Sequence, residues 1–267
     1  MKTGNISYRQ SSVFYRQFGT GNKKLFCFHG YDENSETFVF LEEFLGEQFT
    51  LLAFDLPFHG QTEWKEGLIF TVDDLIKIIH GFVDETEMFY LLGYSMGGRI
   101  ALHLLEFIPQ KIQQVVLIAP DGLHKNFWYY FSTQTFVGNK LFAFTMRHPA
   151  WFLAMINFSK STKLINKNSF SFTQHFLADE MNRMLLYKRW TAFRKIKPNL
   201  SLLKNLIRQN SVRVNILFGK FDKIILTKHG NNFQQGIENK VSVAEINAGH
   251  QLLREKYTGE IVKLFNR

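Results

Sequence analysis

Six short apolar runs, rich in β-branched and aromatic residues, alternate with helical patterns, and this alternation limits the fold more than any other feature. Continuously apolar strands that alternate with helices are typical of a parallel sheet covered on both faces. Two alternating segments at the start predict an antiparallel hairpin. The sequence therefore predicts an α/β fold with a mostly parallel central sheet. The apolar runs are residues 25–28, 51–54, 89–92, 115–118, 214–218 and 241–246; the helical patterns include 72–83, 99–107 and 252–265, and the hairpin strands are 6–9 and 13–18.

The alternation stops between residues 123 and 210, where strand-like runs give way to helix-like segments such as 176–196. We therefore predict a core formed by residues 1–122 and 211–267 and an inserted helical cap, or lid, at 123–210. The predicted cap holds 14 Lys and Arg against Asp179 and Glu180, while the rest of the chain holds 18 basic and 21 acidic residues. The net charge of +9 thus comes entirely from the predicted cap.

Length and cysteine usage narrow the class of protein further. A chain of 267 residues can bury one substantial core without disulfides or metals. The single cysteine, Cys27, lies in an apolar run, which favours a buried structural thiol in a reducing compartment. The first ten residues are polar, unlike a secretory signal, so we expect a soluble, cytoplasmic protein.

The segment Gly93-Tyr94-Ser95-Met96-Gly97-Gly98 follows one apolar run and precedes a helical pattern. It has the form G-x-S-x-G in a strand-turn-helix context. A nucleophile in such a sharp turn needs small residues two positions either side, because a Cβ there would clash with the neighbouring strand or helix. We therefore predict Ser95 as a catalytic nucleophile, against the alternative of a glycine-rich turn with an idle serine.

A serine needs a nearby base to take its proton, and His250 is the best placed of nine histidines. It follows the last apolar run, so it falls at the sheet edge where Ser95 also lies. His80 and His103 fall within helical patterns, where surface or packing roles are more common. The sequence therefore predicts His250 as the general base.

An acid must hold the imidazole in the correct tautomer. Asp222 follows the run 214–218 and precedes the last strand, and the order Ser95, Asp222, His250 is that of α/β-hydrolases. The rival is Asp121 in Pro-Asp-Gly, which is a common turn sequence. We predict Asp222 as the acid and retain Asp121 as the alternative.

The pair His29-Gly30 follows the first interior strand, where a backbone N–H is needed to complete an oxyanion hole. The predicted donors are the backbone amides of Tyr31 and Met96. The alternative is a simple turn, in which a His-Gly pair also occurs.

Taken together, these motifs resemble the α/β-hydrolase superfamily over nearly the whole chain. The matching pieces are His29-Gly30, residues 55–62, the turn around Ser95, residues 219–222 and Gly249-His250. Residues 55–62 resemble the D-x-P-G-H-G-x-S segment of that family, with Phe58 in place of glycine and Thr62 in place of serine. The resemblance implies a serine hydrolase, with a helical cap inserted after the sixth strand.

Acyl transfer to water is the natural chemistry of such a triad, so carboxylic ester hydrolysis is our first expectation. Arg99 lies one helical turn after Ser95 and could face the pocket. Menaquinone-pathway synthases of this fold carry a similar Gly-Gly-Arg turn, whose arginine binds a substrate carboxylate, so a lyase is the alternative. Arg99 could instead pair with a carboxylate such as Glu106 or be solvated.

The aromatic and basic residues of the predicted cap allow two interpretations. Aromatics such as Trp128 and Trp151 could contact a lipophilic acyl group while the basic residues attract an anionic membrane surface. Alternatively, the aromatics fill the contact with the core and the charges form a solvated face. No nucleic-acid motif accompanies the charge, and no cofactor or metal is expected. A non-catalytic binder with an idle triad is a further alternative.

Overall fold

A computed structural model describes residues 1–161, 177 and 179–266. Its eight strands form one sheet in the order β1-β2-β4-β3-β5-β6-β7-β8, in which β3 to β8 run parallel and the β1 and β2 pairings are antiparallel. The predicted fold class and leading hairpin are confirmed. The strands are β1 Lys2–Tyr8, β2 Ser11–Phe18, β3 Lys23–Phe28, β4 Phe49–Phe54, β5 Phe89–Tyr94, β6 Ile112–Ile118, β7 Arg213–Gly219 and β8 Val241–Ile246.

Helices connect the parallel strands and also make up most of the described residues between β6 and β7. In the part of the chain that the structure describes, the α-helices are α1 Glu42–Leu45, α2 Val72–Ile79, α3 Met96–Phe107, α4 Phe127–Gln134, α5 Phe136–Arg147, α6 Ala150–Ser161, α7 Glu180–Ala192, α8 Leu200–Gln209, α9 Thr227–Gln234 and α10 Thr258–Val262. None of these described helices is long and apolar enough to cross a bilayer.

Two helices are shorter than their sequence patterns. The pattern at 72–83 yields a helix that stops at Ile79, just before Gly81, a residue that favours helix ends. The pattern at 252–265 yields a 3₁₀ turn, Glu255–Tyr257, followed by the short α10, which contains the weak helix former Gly259. Apolar spacing therefore overestimated the length of both helices.

Residue contacts divide the chain into two compact units. Unit 1 comprises residues 1–66, 70–124 and 196–267, and unit 2 comprises 67–69 and 125–195. Residues 196–210, which the sequence pattern grouped with the cap, fall in unit 1, where Leu203 and Ile207 of α8 are fully buried. The assignment of residues 123–210 as an inserted cap stays a prediction, and its helix-like segment 176–196 lies partly outside the described residues.

Aromatic residues make up a large part of the core of unit 1. Phe26 on β3 contacts Phe89 edge to face, with ring centroids 5.0 Å apart, and Phe49 contacts Tyr90 in the same way at 4.9 Å. Cys27, on β3, is fully buried and has no disulfide partner, as predicted. This packing fixes the parallel strands side by side, so the loops at their carboxyl ends meet along one edge.

Candidate active site

Ser95 sits in a strained turn between β5 and α3. Its φ of 49° and ψ of −113° lie outside the regions that non-glycine residues ordinarily occupy. The turn is held on both sides, because the Ser95 amide donates to the Ile118 carbonyl at 3.0 Å and the Ser95 carbonyl accepts from the Asp121 amide at 2.9 Å. The strain is therefore imposed by the sheet, and it presents the hydroxyl at the start of α3.

The glycines beside Ser95 are required by close backbone packing, as the sequence predicted. A Cβ on Gly93 would lie 2.6 Å from the Gly97 carbonyl oxygen, and a Cβ on Gly97 would lie 1.8 Å from the Phe28 carbonyl oxygen. Both obstacles are backbone atoms of packed elements, so neither can move aside cheaply. The turn thus brings α3 directly against the end of β3.

We expect Gly97→Ala to lower the free energy of unfolding by about 3 kcal/mol or more, because the added methyl overlaps the Phe28 backbone. Gly259→Ala is the matched control, since no atom lies within 4 Å of its added Cβ and it lies in α10. We expect the control to gain about 0.5 to 1 kcal/mol from helix propensity. Urea unfolding measures both variants; a Gly97→Ala protein as stable as the wild type would contradict the close packing.

His250 reaches Ser95 from the loop after β8. The Ser95 Oγ and the His250 Nε2 are 3.0 Å apart, and the Tyr94 hydroxyl donates to the His250 carbonyl at 3.2 Å. The other histidines considered from sequence lie elsewhere: His80 is exposed at the end of α2, and His103 contacts Glu106 at 2.9 Å. His250 is thus the histidine that the structure brings to Ser95.

Asp222 contacts the far side of the His250 ring. Its Oδ2 lies 2.7 Å from His250 Nδ1, while its Oδ1 accepts from the amides of Ile224 at 2.7 Å and Ile225 at 3.0 Å. Burial by itself raises the pKa of this carboxyl, but the hydrogen bonds from His250 and the two amides outweigh burial and lower the pKa. An ionised Asp222 requires a proton on Nδ1, which leaves Nε2 free to accept from the Ser95 hydroxyl.

Asp121, the rival acid, has a different partner. Its Oδ2 lies 3.5 Å from Arg99 Nη1, and its Oδ1 accepts from the Gly122 amide at 2.7 Å. Arg99 is 7% exposed and lies on the first turn of α3. The structure therefore brings Asp222 to His250 and Asp121 to Arg99, whereas Glu106, the partner considered from sequence, contacts His103.

The predicted oxyanion donors lie in the loop after β3, at Tyr31, and at the start of α3, at Met96. Tyr31 follows β3, where His29 fixes the loop: its Nε2 accepts from the Leu56 amide at 3.0 Å, and its Nδ1 faces the Gly30 carbonyl at 2.7 Å. Met96 is the first residue of α3, so its amide has no acceptor within the helix. Both amides thus belong to segments held close to the turn.

Residues 55–62, which resemble a family segment, form a turn anchored by Asp55. The buried Asp55 carboxylate accepts from the Ser35 and Gln61 amides, both at 2.7 Å, and the Thr62 hydroxyl donates to the Asp55 carbonyl at 2.5 Å. Phe58, which replaces the usual glycine, adopts a φ of 64°. The turn therefore keeps a left-handed residue at this position despite the substitution.

Glu33 is a site residue that sequence reasoning missed. Its Oε2 accepts from the Gly30 amide at 3.0 Å, one residue before the predicted donor Tyr31. Burial raises the pKa of Glu33 to about 7, against the lowering effects of the Gly30 amide, His250 and Arg254. No motif marked this residue, since its environment depends on loops from distant parts of the chain.

The raised pKa of Glu33 makes stability depend on pH. The unfolded chain releases this proton near pH 4.5 and the folded chain near pH 7, so stability falls as pH rises through that interval. We expect Glu33→Gln to be more stable than the wild type by about 3 kcal/mol at pH 8 and equally stable at pH 4. Urea unfolding at both pH values tests this, with the exposed Glu43→Gln as control; a difference independent of pH would contradict it.

The remaining predicted contacts lie in unit 2. Trp128 of α4 is 72% exposed, and Trp151 of α6 is also exposed. Their contact with a substrate stays a prediction. Among the described residues, no three His, Cys, Asp or Glu side chains cluster as metal ligands would.

A serine in a strained strand-to-helix turn on a mostly parallel sheet is the arrangement typical of α/β-hydrolases. The sequence profile of the alpha/beta hydrolase fold family matches residues 24–257. The chain therefore belongs to the alpha/beta hydrolase family of enzymes, which confirms the family predicted from the motifs.

Two sequence relatives and one solved structure illustrate this membership. "Uncharacterized hydrolase YugF" of Bacillus subtilis is 23% identical over 255 residues, covering 92% of this chain and 90% of that protein. The pimeloyl-(acyl-carrier protein) methyl ester esterase of Salmonella newport is 27% identical over 109 residues, 41% of each chain. A thermophilic esterase from Thermogutta terrifontis has a TM-score of 0.69 at 17% identity, covering 100% of this chain and 98% of that one.

Proposed function

We propose that the protein is a serine hydrolase that cleaves carboxylic esters, with Ser95 as nucleophile, His250 as general base and Asp222 as the orienting acid. The observation that carries this proposal is the continuous hydrogen-bonded chain from Ser95 Oγ through the imidazole to the buried carboxylate, with contacts of 3.0 and 2.7 Å. The direction of these hydrogen bonds favours catalysis. The carboxylate requires the Nδ1–H tautomer of His250, which leaves Nε2 to take the serine proton.

In the acylation half-reaction, Ser95 Oγ attacks the ester carbonyl carbon as its proton moves to His250 Nε2. The negative charge develops on the carbonyl oxygen, where the Tyr31 and Met96 amides would donate hydrogen bonds. The tetrahedral intermediate then collapses, and His250 gives its proton to the departing alcohol. The product of this half-reaction is an acyl-Ser95 ester.

In the deacylation half-reaction, water attacks the acyl-Ser95 carbonyl and His250 Nε2 accepts a water proton. Collapse of the second tetrahedral intermediate returns that proton to Ser95 Oγ and releases the carboxylic acid. Asp222 stays ionised throughout and stabilises the imidazolium in each intermediate, and its lowered pKa supports this role.

The substrate proposal draws on the relatives as well as on the site. Two of the similar proteins are named as esterases, which supports ester hydrolysis ahead of other acyl chemistry. The lyase alternative needs Arg99 for a substrate carboxylate, but the Asp121 carboxylate already lies 3.5 Å from that guanidinium. We further propose a lipophilic acyl group, because the predicted cap is rich in aromatic residues.

A panel of p-nitrophenyl esters that differ in acyl chain length tests this proposal. We expect hydrolysis of at least one ester, with a burst of p-nitrophenol when deacylation is slower than acylation. If every ester is untouched while the menaquinone-pathway intermediate is consumed, the lyase alternative replaces ester hydrolysis. If neither reacts, the protein is a binder with an idle triad.

A further inference from the structure

The solvent-facing side of α5 is mostly apolar, whereas the solvent-facing side of a surface helix is expected to be polar. Its exposed residues recur at spacings of three and four, so they share one side of the helix. That side carries large apolar residues: Phe136 is 74% exposed, Val137 69%, Phe144 52% and Leu141 43%. We call these four residues, together with the exposed Lys140 and Arg147, the α5 face.

The inward side of α5 is packed within unit 2 by both apolar and polar contacts: Met146 is buried, and the Phe142 ring lies 5.4 Å from that of Tyr187. Gly138 and Thr145 are buried, and the Asn139 amide donates to the Ser132 carbonyl and to Thr191 Oγ1 at 3.0 and 3.1 Å. The inward side of α5 thus already has its partners within unit 2, while Phe136 and Phe144 on the opposite side stay exposed. Monomeric proteins rarely leave such an apolar patch without a function in binding.

The charges on the α5 face restrict what can cover it. Around the helix, Lys140 and Arg147 lie between Phe136 and Phe144, with the Lys140 Nζ 4.3 Å from the centre of the Phe136 ring. Helix α5 contains no acidic residue, and the segment 123–210 around it has 14 basic residues against two acidic ones. A second copy of this chain would therefore bring like charges together.

We propose that the α5 face docks the protein on an anionic lipid surface. A helix that lies in the membrane plane buries apolar side chains at the boundary between headgroups and acyl chains, while the long Lys and Arg side chains beside them extend to the anionic headgroups. At about 18 Å, the 12 residues of α5 are long enough to lie along such a surface. The proposal concerns unit 2 and does not depend on Ser95, so Ser95→Ala should bind lipid as the wild type does.

Co-sedimentation of the full chain with vesicles tests this proposal. We expect binding to phosphatidylcholine vesicles that contain phosphatidylglycerol, little binding to phosphatidylcholine alone, and release by high salt. Phe136→Ser combined with Phe144→Ser should weaken the binding at least about tenfold, because it removes the two largest apolar groups. Phe44→Ser combined with Phe107→Ser is the matched control, since both residues are exposed in unit 1; it should leave binding unchanged.

A second pair of variants separates charge from apolar contact. Lys140→Gln combined with Arg147→Gln should weaken binding about thirtyfold at low salt and much less at high salt. Lys256→Gln combined with Lys263→Gln, two exposed lysines of unit 1, is the control. All of these changes are at exposed side chains, and thermal unfolding checks that each variant stays folded.

Three results would overturn the proposal. One is absence of binding to anionic vesicles at low salt, and another is binding that the Phe136→Ser and Phe144→Ser pair does not weaken. The third is a dimer that forms without lipid in sedimentation velocity and is lost in that same pair, because the α5 face would then be covered by a second copy.

Discussion

Ser95→Ala should lower kcat for a p-nitrophenyl ester by about 10⁶-fold, to a residual rate that oxyanion stabilisation and binding alone can supply. The reason is geometric: the Ser95 hydroxyl is the group that lies 3.0 Å from His250 Nε2, so its removal leaves the base with no nucleophile to activate. Thermal unfolding should change little, since one hydroxyl is lost from an already strained turn.

The control is Ser7→Ala, at an exposed serine of β1, which should keep full activity. A Ser95→Ala protein that retains more than about a hundredth of the wild-type rate would show that another group carries the reaction. That result would leave the fold intact and remove the proposed mechanism.

Asp222→Asn should lower kcat by about 10⁴-fold while the geometry stays nearly unchanged. The amides of Ile224 and Ile225 both donate to Asp222 Oδ1, so the carbonyl oxygen of the new side chain would stay with them. Its NH₂ group would then face His250 Nδ1 and donate to it. The imidazole proton would move to Nε2, where it blocks transfer from Ser95.

Asp121→Asn is the matched variant, because Asp121 was the other aspartate that sequence position allowed. Its side chain lies against Arg99, so we expect its loss to change kcat less than about tenfold and to act mainly on stability. Steady-state kinetics of both variants on one ester decide between the two aspartates. A thousandfold loss in Asp121→Asn together with a nearly active Asp222→Asn would reverse the assignment.

The positions of the site residues could be predicted because they follow the carboxyl ends of parallel strands. Each of Ser95, Asp222 and His250 comes shortly after an apolar run, and parallel strands direct those loops to one edge of the sheet. The clash that requires Gly97 was also predictable, because a strand-to-helix turn leaves little room for a side chain. In these cases the local sequence pattern and the topology of the sheet lead to the same prediction.

Other features depend on contacts that sequence spacing does not encode. The pairing of Arg99 with Asp121 joins a helix to the loop after the next strand, and the burial of Glu33 depends on several loops together. The exposure of the apolar side of α5 could not be predicted either, because the same apolar spacing fits a helix that faces a core. Sequence periodicity shows that a helix has an apolar side but not what that side meets.

Labelling with a fluorophosphonate, followed by mass spectrometry of the digested protein, tests the central claim most directly. The account predicts one adduct per chain, located on Ser95 and absent from the Ser95→Ala protein, with labelling greatly slowed in Asp222→Asn. A folded wild-type protein that stays unlabelled, or an adduct on a different residue, would contradict it.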